Sequence, residues 1–176
     1  MHTLIIVIHP KIQESKINKR WVQELQKYPD LYTIHHLYNS YPDEIIDILA
    51  EQRLLEKYEK IVFQFPLYWF SSPPLFKKWM DEVLTYGWAY GSKSPYALAG
   101  KKIALAISVG IEEKEYTSQG KYKYSLSTIC APFELTFDYV KANYIPHFAY
   151  YGMEQNSSDE HIEQSIPQYL QFLQSL

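Results

Sequence analysis

The sequence has a single cysteine, Cys130, so no internal disulfide can form. Chains without disulfides are expected in a reducing compartment, which makes the cytoplasm the expected location. Ile129 and Ala131 flank the thiol and suit a buried helical position better than a nucleophile. Positive charge is not in excess: the formal net charge is −3 at pH 7. The lysines, from Lys16 and Lys19 to Lys121 and Lys123, are scattered among acids. A nucleic-acid-binding chain would show a basic face, so no nucleic-acid partner is expected. Long apolar runs are also missing. The run from Leu4 to Ile8 is too short for a signal-peptide core or a membrane span.

The six histidines offer no metal set. His35 and His36 would point to opposite faces of a strand, and His2, His147 and His161 lack a ligand partner in the pattern. Aromatic residues, by contrast, are plentiful at 16%, and 17 of them are tyrosines. Tyrosine joins a flat apolar face to a hydroxyl, which serves half-wet ligand sites and interfaces. The length of 176 residues is that of one domain, expected to span 1–176.

Strand and helix patterns alternate along the chain. Leu4–Ile8 is a β-branched apolar run of the kind buried on both faces. Ser15 is placed to cap a helix to about Lys27, with Ile17, Trp21, Val22 and Leu25 inward. Tyr32–Leu37 reads as a strand and Asp43–Tyr58 as a helix with Ile45, Ile46, Ile48, Leu49, Leu54 and Leu55 on its apolar face. Ile61–Phe65 is a third strand. Pro73 and Pro74 open a helix over Leu75–Leu84, where a missing N–H costs nothing. Ile103–Val109, Leu126–Val140, Phe148–Tyr151 and Ser158–Gln174 complete the alternation as strand, helix, strand and helix. This order predicts an α/β fold, a doubly wound five-stranded parallel sheet with helices on both faces.

In such sheets a ligand binds beyond the carboxyl ends of the strands. The first loop, HPKIQESKIN, contains no glycine, which excludes dinucleotide and P-loop fingerprints. Ser15 and Asn18 at a helix start can either hold a phosphate on free N–H groups or simply cap the helix. The third loop is more telling. FQFPLYWFSSPPLFKKWMDEV, Phe63 to Val83, is aromatic and stiffened by Pro66, Pro73 and Pro74. The N–H groups of Leu67, Tyr68, Trp69 and Phe70 are expected to lack strand or helix partners. Such a row of donors beside aromatic faces suits a planar heterocycle such as an isoalloxazine.

HPxxxxSxxN after strand one, the Phe63–Val83 motif, and GWAYG at Gly87–Gly91 together resemble the flavodoxin-like NAD(P)H:quinone oxidoreductases. The similarity is to the small bacterial branch that includes potassium-efflux ancillary subunits and general-stress quinone reductases. It runs from strand one to the final helix. The resemblance implies FMN, or FAD, as cofactor and NAD(P)H as donor. It implies a two-electron ping-pong hydride transfer through flavin N5 to a quinone. His9, Ser15, Lys16, Ile17 and Asn18 would surround the flavin phosphate and ribityl chain. Pro66, Leu67, Tyr68, Trp69 and Phe70 would line the ring, with Ser108, Val109, Gly110 and Ile111 at its other edge. The last loop departs from the family's Thr-Thr-Gly-Gly, with Ile111 in place of a glycine. Tyr116 matches a site tyrosine, whereas Tyr122 stands where larger relatives have histidine. Family members are dimers, and Trp79, Tyr86, Trp88 and Tyr90 would suit the interface. The alternatives are a flavin-loaded subunit of a membrane potassium-efflux transporter, on the inner face of the membrane, and a one-electron carrier.

Overall fold

The computed structural model describes residues 2–176. Its strands are β1 (Thr3–Val7), β2 (Tyr32–His36), β3 (Lys60–Pro66), β4 (Lys102–Ser108), β5 (Asn143–Tyr144) and β6 (Phe148–Tyr150). All pairings are parallel, in the order β2-β1-β3-β4-β5, with β6 also on β4. The fifth position of the expected sheet is therefore divided between two short strands. The Ile145 N–H still reaches the Ile103 carbonyl at 2.8 Å, but Pro146 has no N–H to offer and ends the first half.

The helices are α1 (Ile17–Leu25), α2 (Leu37–Ser40), α3 (Ile48–Glu56), α4 (Pro74–Val83), α5 (Leu126–Tyr139) and α6 (Asp159–Ser175). The helix expected over Asp43–Tyr58 begins only at Ile48. The Asp47 carboxylate accepts the Ala50 N–H at 2.9 Å and caps it there, and Asp43 turns back onto the Ile45 N–H at 3.1 Å. Short acidic side chains compete with the helix for these donors. Ile45 and Leu49, expected on the apolar face, are consequently 73% and 60% exposed.

Period-two alternation sorts the central strands between two cores. Leu4, Ile6, Ile8, Ile61, Phe63, Phe65, Ile103, Leu105 and Ile107 face α3, α4 and α5. There Phe63, Phe76, Phe133 and Phe137 stack with centroids 4.6–5.5 Å apart, each burial contributing roughly 1.5–3 kcal/mol. Ile5, Val7, Val62, Ala104 and Ala106 face α1 and α6. The two small alanines leave room for Trp21, Phe148 and Tyr169.

Trp79 belongs to the first core and not to an interface. It is fully buried, and its indole N–H donates to Glu51 Oε2 at 2.8 Å. Glu51 Oε1 receives the Tyr41 hydroxyl at 2.7 Å and lies 2.8 Å from His35 Nε2. Burial alone would raise the Glu51 carboxyl, but these partners hold it below its ordinary value of 4.5. Of the other aromatics expected at an interface, Tyr86 is exposed, while Trp88 and Tyr90 are half-buried. Cys130 is buried in α5, and burial pushes its thiol up to about 12. Among the described residues no helix is long and apolar enough to cross a membrane.

Candidate functional site

The loops after β1, β3 and β4 meet at the carboxyl end of the sheet. Leu67 donates its N–H to the Ser108 carbonyl at 2.9 Å, and Pro66 pairs in register with Ser108 at the ends of β3 and β4. Asn18 Nδ2 donates to Ser108 Oγ at 2.8 Å. The His9 and Tyr68 rings stand edge to face at 6.5 Å.

In the first loop Ser15 Oγ accepts the Asn18 N–H at 3.1 Å. The N–H groups of Lys16 and Ile17 have no partner among the described residues, which leaves the start of α1 open to an anion. Lys16 Nζ lies 3.2 Å from Ser157 Oγ. The Asn18 side chain is not available to a ligand. It is buried in a polar seam in which Gln64 Nε2 donates to its Oδ1 at 3.3 Å and its carbonyl at 3.1 Å. The Tyr169 hydroxyl completes the seam on Gln64 Oε1 at 3.0 Å. His9 Nδ1 accepts the Lys11 N–H at 3.1 Å, so a neutral ring carries its proton on Nε2. Burial holds His9 below its ordinary value, against the pull of Glu14.

The third loop differs from its expected form. Only two of its four N–H groups are free, because Leu67 pairs with Ser108 and Tyr68 exchanges hydrogen bonds with Ser71 at 3.0 and 2.9 Å. Trp69 and Phe70 form the two-residue turn between them, with φ of 48° and 61°. Positive φ at both central residues is the mark of a type I′ turn, which ordinarily takes Asn-Gly. Side chains with a Cβ cost about 1–2 kcal/mol each there. Trp69 is 94% exposed, and it and Phe70 line a cleft.

That cleft has a volume of about 540 Å³. It is lined by the Leu67–Phe70 turn, by Gly110 and Ile111 of the fourth loop, and by Tyr116, Tyr122 and Glu154. Val109 is buried, its N–H on the Tyr150 carbonyl at 2.8 Å. Tyr122 packs edge-on against Phe70 at 4.9 Å and against Tyr116 at 4.9 Å. Burial, with Tyr122 and Glu154 nearby, pushes the Tyr116 hydroxyl up to about 12, so it remains a proton donor at neutral pH. Its hydroxyl has no partner among the described residues. Gly120 makes this end possible, since a Cβ would fall 2.4 Å from the Lys114 carbonyl oxygen.

Sequence reasoning treated Tyr122 only as a replaced histidine and missed Glu154. Glu154 follows β6, whose carboxyl end also reaches the ligand edge. A groove of about 580 Å³ beside His147, Phe148 and His161 includes none of the expected site residues.

A family model described as a flavodoxin-like fold matches residues 1–173. The chain belongs to that family. The uncharacterized NAD(P)H oxidoreductase YrkL of Bacillus subtilis is 43% identical over 99% of both chains. The glutathione-regulated potassium-efflux system ancillary protein KefG of Yersinia pestis is 38% identical over 98% of this chain and 93% of its own. Among solved structures, general stress protein 14 from Treponema denticola, in complex with FMN, aligns with a TM-score of 0.93 at 44% identity over 99% of both chains. An NADPH-quinone reductase from P. pentosaceus aligns with a TM-score of 0.87 at 29% identity over 98% of both.

Proposed function

We propose that this flavodoxin-like chain is an FMN-dependent NAD(P)H:quinone oxidoreductase. The observation that carries the reading is the cleft itself, lined by the Leu67–Phe70 turn and by Gly110 and Ile111 at the sheet's ligand edge. The chain's residues fit the group. Lys16 and Ile17 offer free N–H groups to a phosphate, and Trp69 and Phe70 offer theirs to ring acceptors. The FMN-bound relative and the NAD(P)H oxidoreductase and quinone reductase names of others support the assignment.

Bound FMN supplies a two-electron carrier between NAD(P)H and a quinone. The protein's share is position and exclusion. The turn residues and Ile111 would position the flavin and one substrate at a time in the same cleft, which predicts ping-pong kinetics. Tyr116, kept protonated, can donate a hydrogen bond to an oxygen on which negative charge develops. With Tyr122 in place of histidine, a tyrosine–histidine relay is not carried over intact.

The test is an absorbance spectrum with FMN, followed by anaerobic NADPH and then a benzoquinone. Flavin bands that bleach with NADPH and return fully with quinone are expected. A protein that binds no flavin would sink the reading. The likeness to KefG favours a second role for the same flavin-loaded chain, as a cytoplasmic ancillary subunit of a potassium-efflux transporter. Co-purification with such a transporter checks it, and absence of a complex with intact quinone turnover rejects it.

A further inference from the structure

Glu154 is the one charged side chain among the residues that line the cleft. Its backbone is latched to the opposite loop. The N–H groups of Gly152, Met153 and Glu154 donate to the carbonyls of Ile111, Val109 and Gly110 at 3.1, 3.1 and 2.9 Å. The side chain then folds back over Gly110. A Cβ on that glycine would lie 2.5 Å from Glu154 Oε1, so the carboxylate rests against the bare backbone that forms the cleft wall. No salt bridge engages it among the described residues. None of the other lining residues neutralises it, because none of them carries a charge.

We propose that Glu154 is an electrostatic tuning residue that weakens binding of the reduced, anionic flavin relative to the oxidised one and so lowers the potential of the bound cofactor. The inference rests on the FMN reading above. A hydride from NAD(P)H brings two electrons and one proton to the ring and leaves NAD(P)⁺. The ring thereby gains one negative charge, and a fixed carboxylate in the wall opposes that gain. The oxidised ring is neutral and escapes the penalty. The nicotinamide product is cationic and is attracted. Glu154 is exposed, so screening reduces the effect to about fivefold in relative affinity. Lower potential sends electrons onward to the acceptor more readily, at the expense of a slower or less complete reduction by the donor.

The experiment compares the wild type, Glu154→Gln and Glu160→Gln. The last removes an equal charge from the exposed first turn of α6. Dissociation constants for oxidised FMN and midpoint potentials of the bound FMN are measured anaerobically at constant ionic strength. Glu154→Gln is expected to favour reduced FMN by about fivefold, raising the potential by about 20 mV on the two-electron scale where tenfold is about 30 mV. Glu160→Gln should shift it by less than twofold. Equal potentials in wild type and Glu154→Gln overturn the inference while leaving the FMN reading intact. Equal weakening of both redox forms also overturns it, since that is what a latch role alone would do. A wild type that binds no FMN overturns both.

Discussion

Replacing Asn18 by alanine tests whether the buried polar seam holds the ligand loops together. The carboxamide donates to Ser108 Oγ at 2.8 Å and accepts from Gln64 Nε2 at 3.3 Å. Its loss removes one good buried hydrogen bond and one long one, contributing about 1–1.5 and 0.5 kcal/mol. The three missing heavy atoms leave a small cavity costing about 1 kcal/mol more. Gln64 keeps the Asn18 main-chain carbonyl at 3.1 Å, so the damage stops near 3 kcal/mol. For a chain of this size that lowers Tm by roughly 6–12 °C. Urea unfolding with an unchanged m-value is the assay for stability, and FMN titration the assay for the site, where affinity should fall about tenfold. The double variant Asn18→Ala, Ser108→Ala should cost about 1 kcal/mol less than the two single changes added together. A stability loss below 1 kcal/mol, or strict additivity, would refute the claim that Asn18 ties the first loop to the fourth.

Glu51→Gln places an amide N–H₂ against either the Trp79 indole or the Tyr41 and His35 donors, and should cost about 2–3 kcal/mol at pH 7. Because the folded Glu51 carboxyl lies below its ordinary 4.5, its stabilisation is present above that value and lost as pH falls through the folded one. The gap between wild type and variant, followed by denaturant melts, should therefore narrow below pH 4.5. Exchanging Trp69-Phe70 for Asn-Gly relieves the positive-φ strain and should stabilise the fold by about 1–2 kcal/mol. The same change should weaken FMN binding, a trade visible by pairing thermal melts with titration. Gly120→Ala collides with the Lys114 carbonyl and should displace Tyr122, costing about 1–3 kcal/mol and disturbing the tyrosine signals of the near-ultraviolet circular dichroism.

Much of this architecture could be read from residues. Unbroken apolar runs such as Leu4–Ile8 and Ile61–Phe65 have few physical solutions other than buried parallel strands, and Pro73-Pro74 marks a helix start by chemistry alone. The misreading of Asp43–Asp47 has the opposite cause. Apolar periodicity continued through a stretch whose acids capture the local N–H groups, and capping won. Trp79 looked like interface material because a sequence shows its size and not the carboxylate waiting 28 positions earlier in the chain. The third loop was recognised by its composition, but its turn was hidden, since Trp-Phe is among the least expected pairs for two residues of positive φ. Glu154 was invisible because its meaning lies in a contact with Gly110, made through a β6 that pairs with β4 across 42 residues of chain.

The four tryptophans sit in sharply different surroundings. Trp21 and Trp79 are wholly enclosed, Trp88 is half-covered, and Trp69 stands bare at the cleft mouth. Enclosed indoles emit toward the blue and hydrated ones toward the red, so the protein's own emission spectrum is sorted by location. The red edge is dominated by Trp69 at the cleft, with the half-covered Trp88 between the extremes. A flat ring entering there would dim Trp69 most strongly, and a change confined to the core would alter the blue side instead. The strained turn thus equips the molecule with an optical label at the one place where its chemistry is expected.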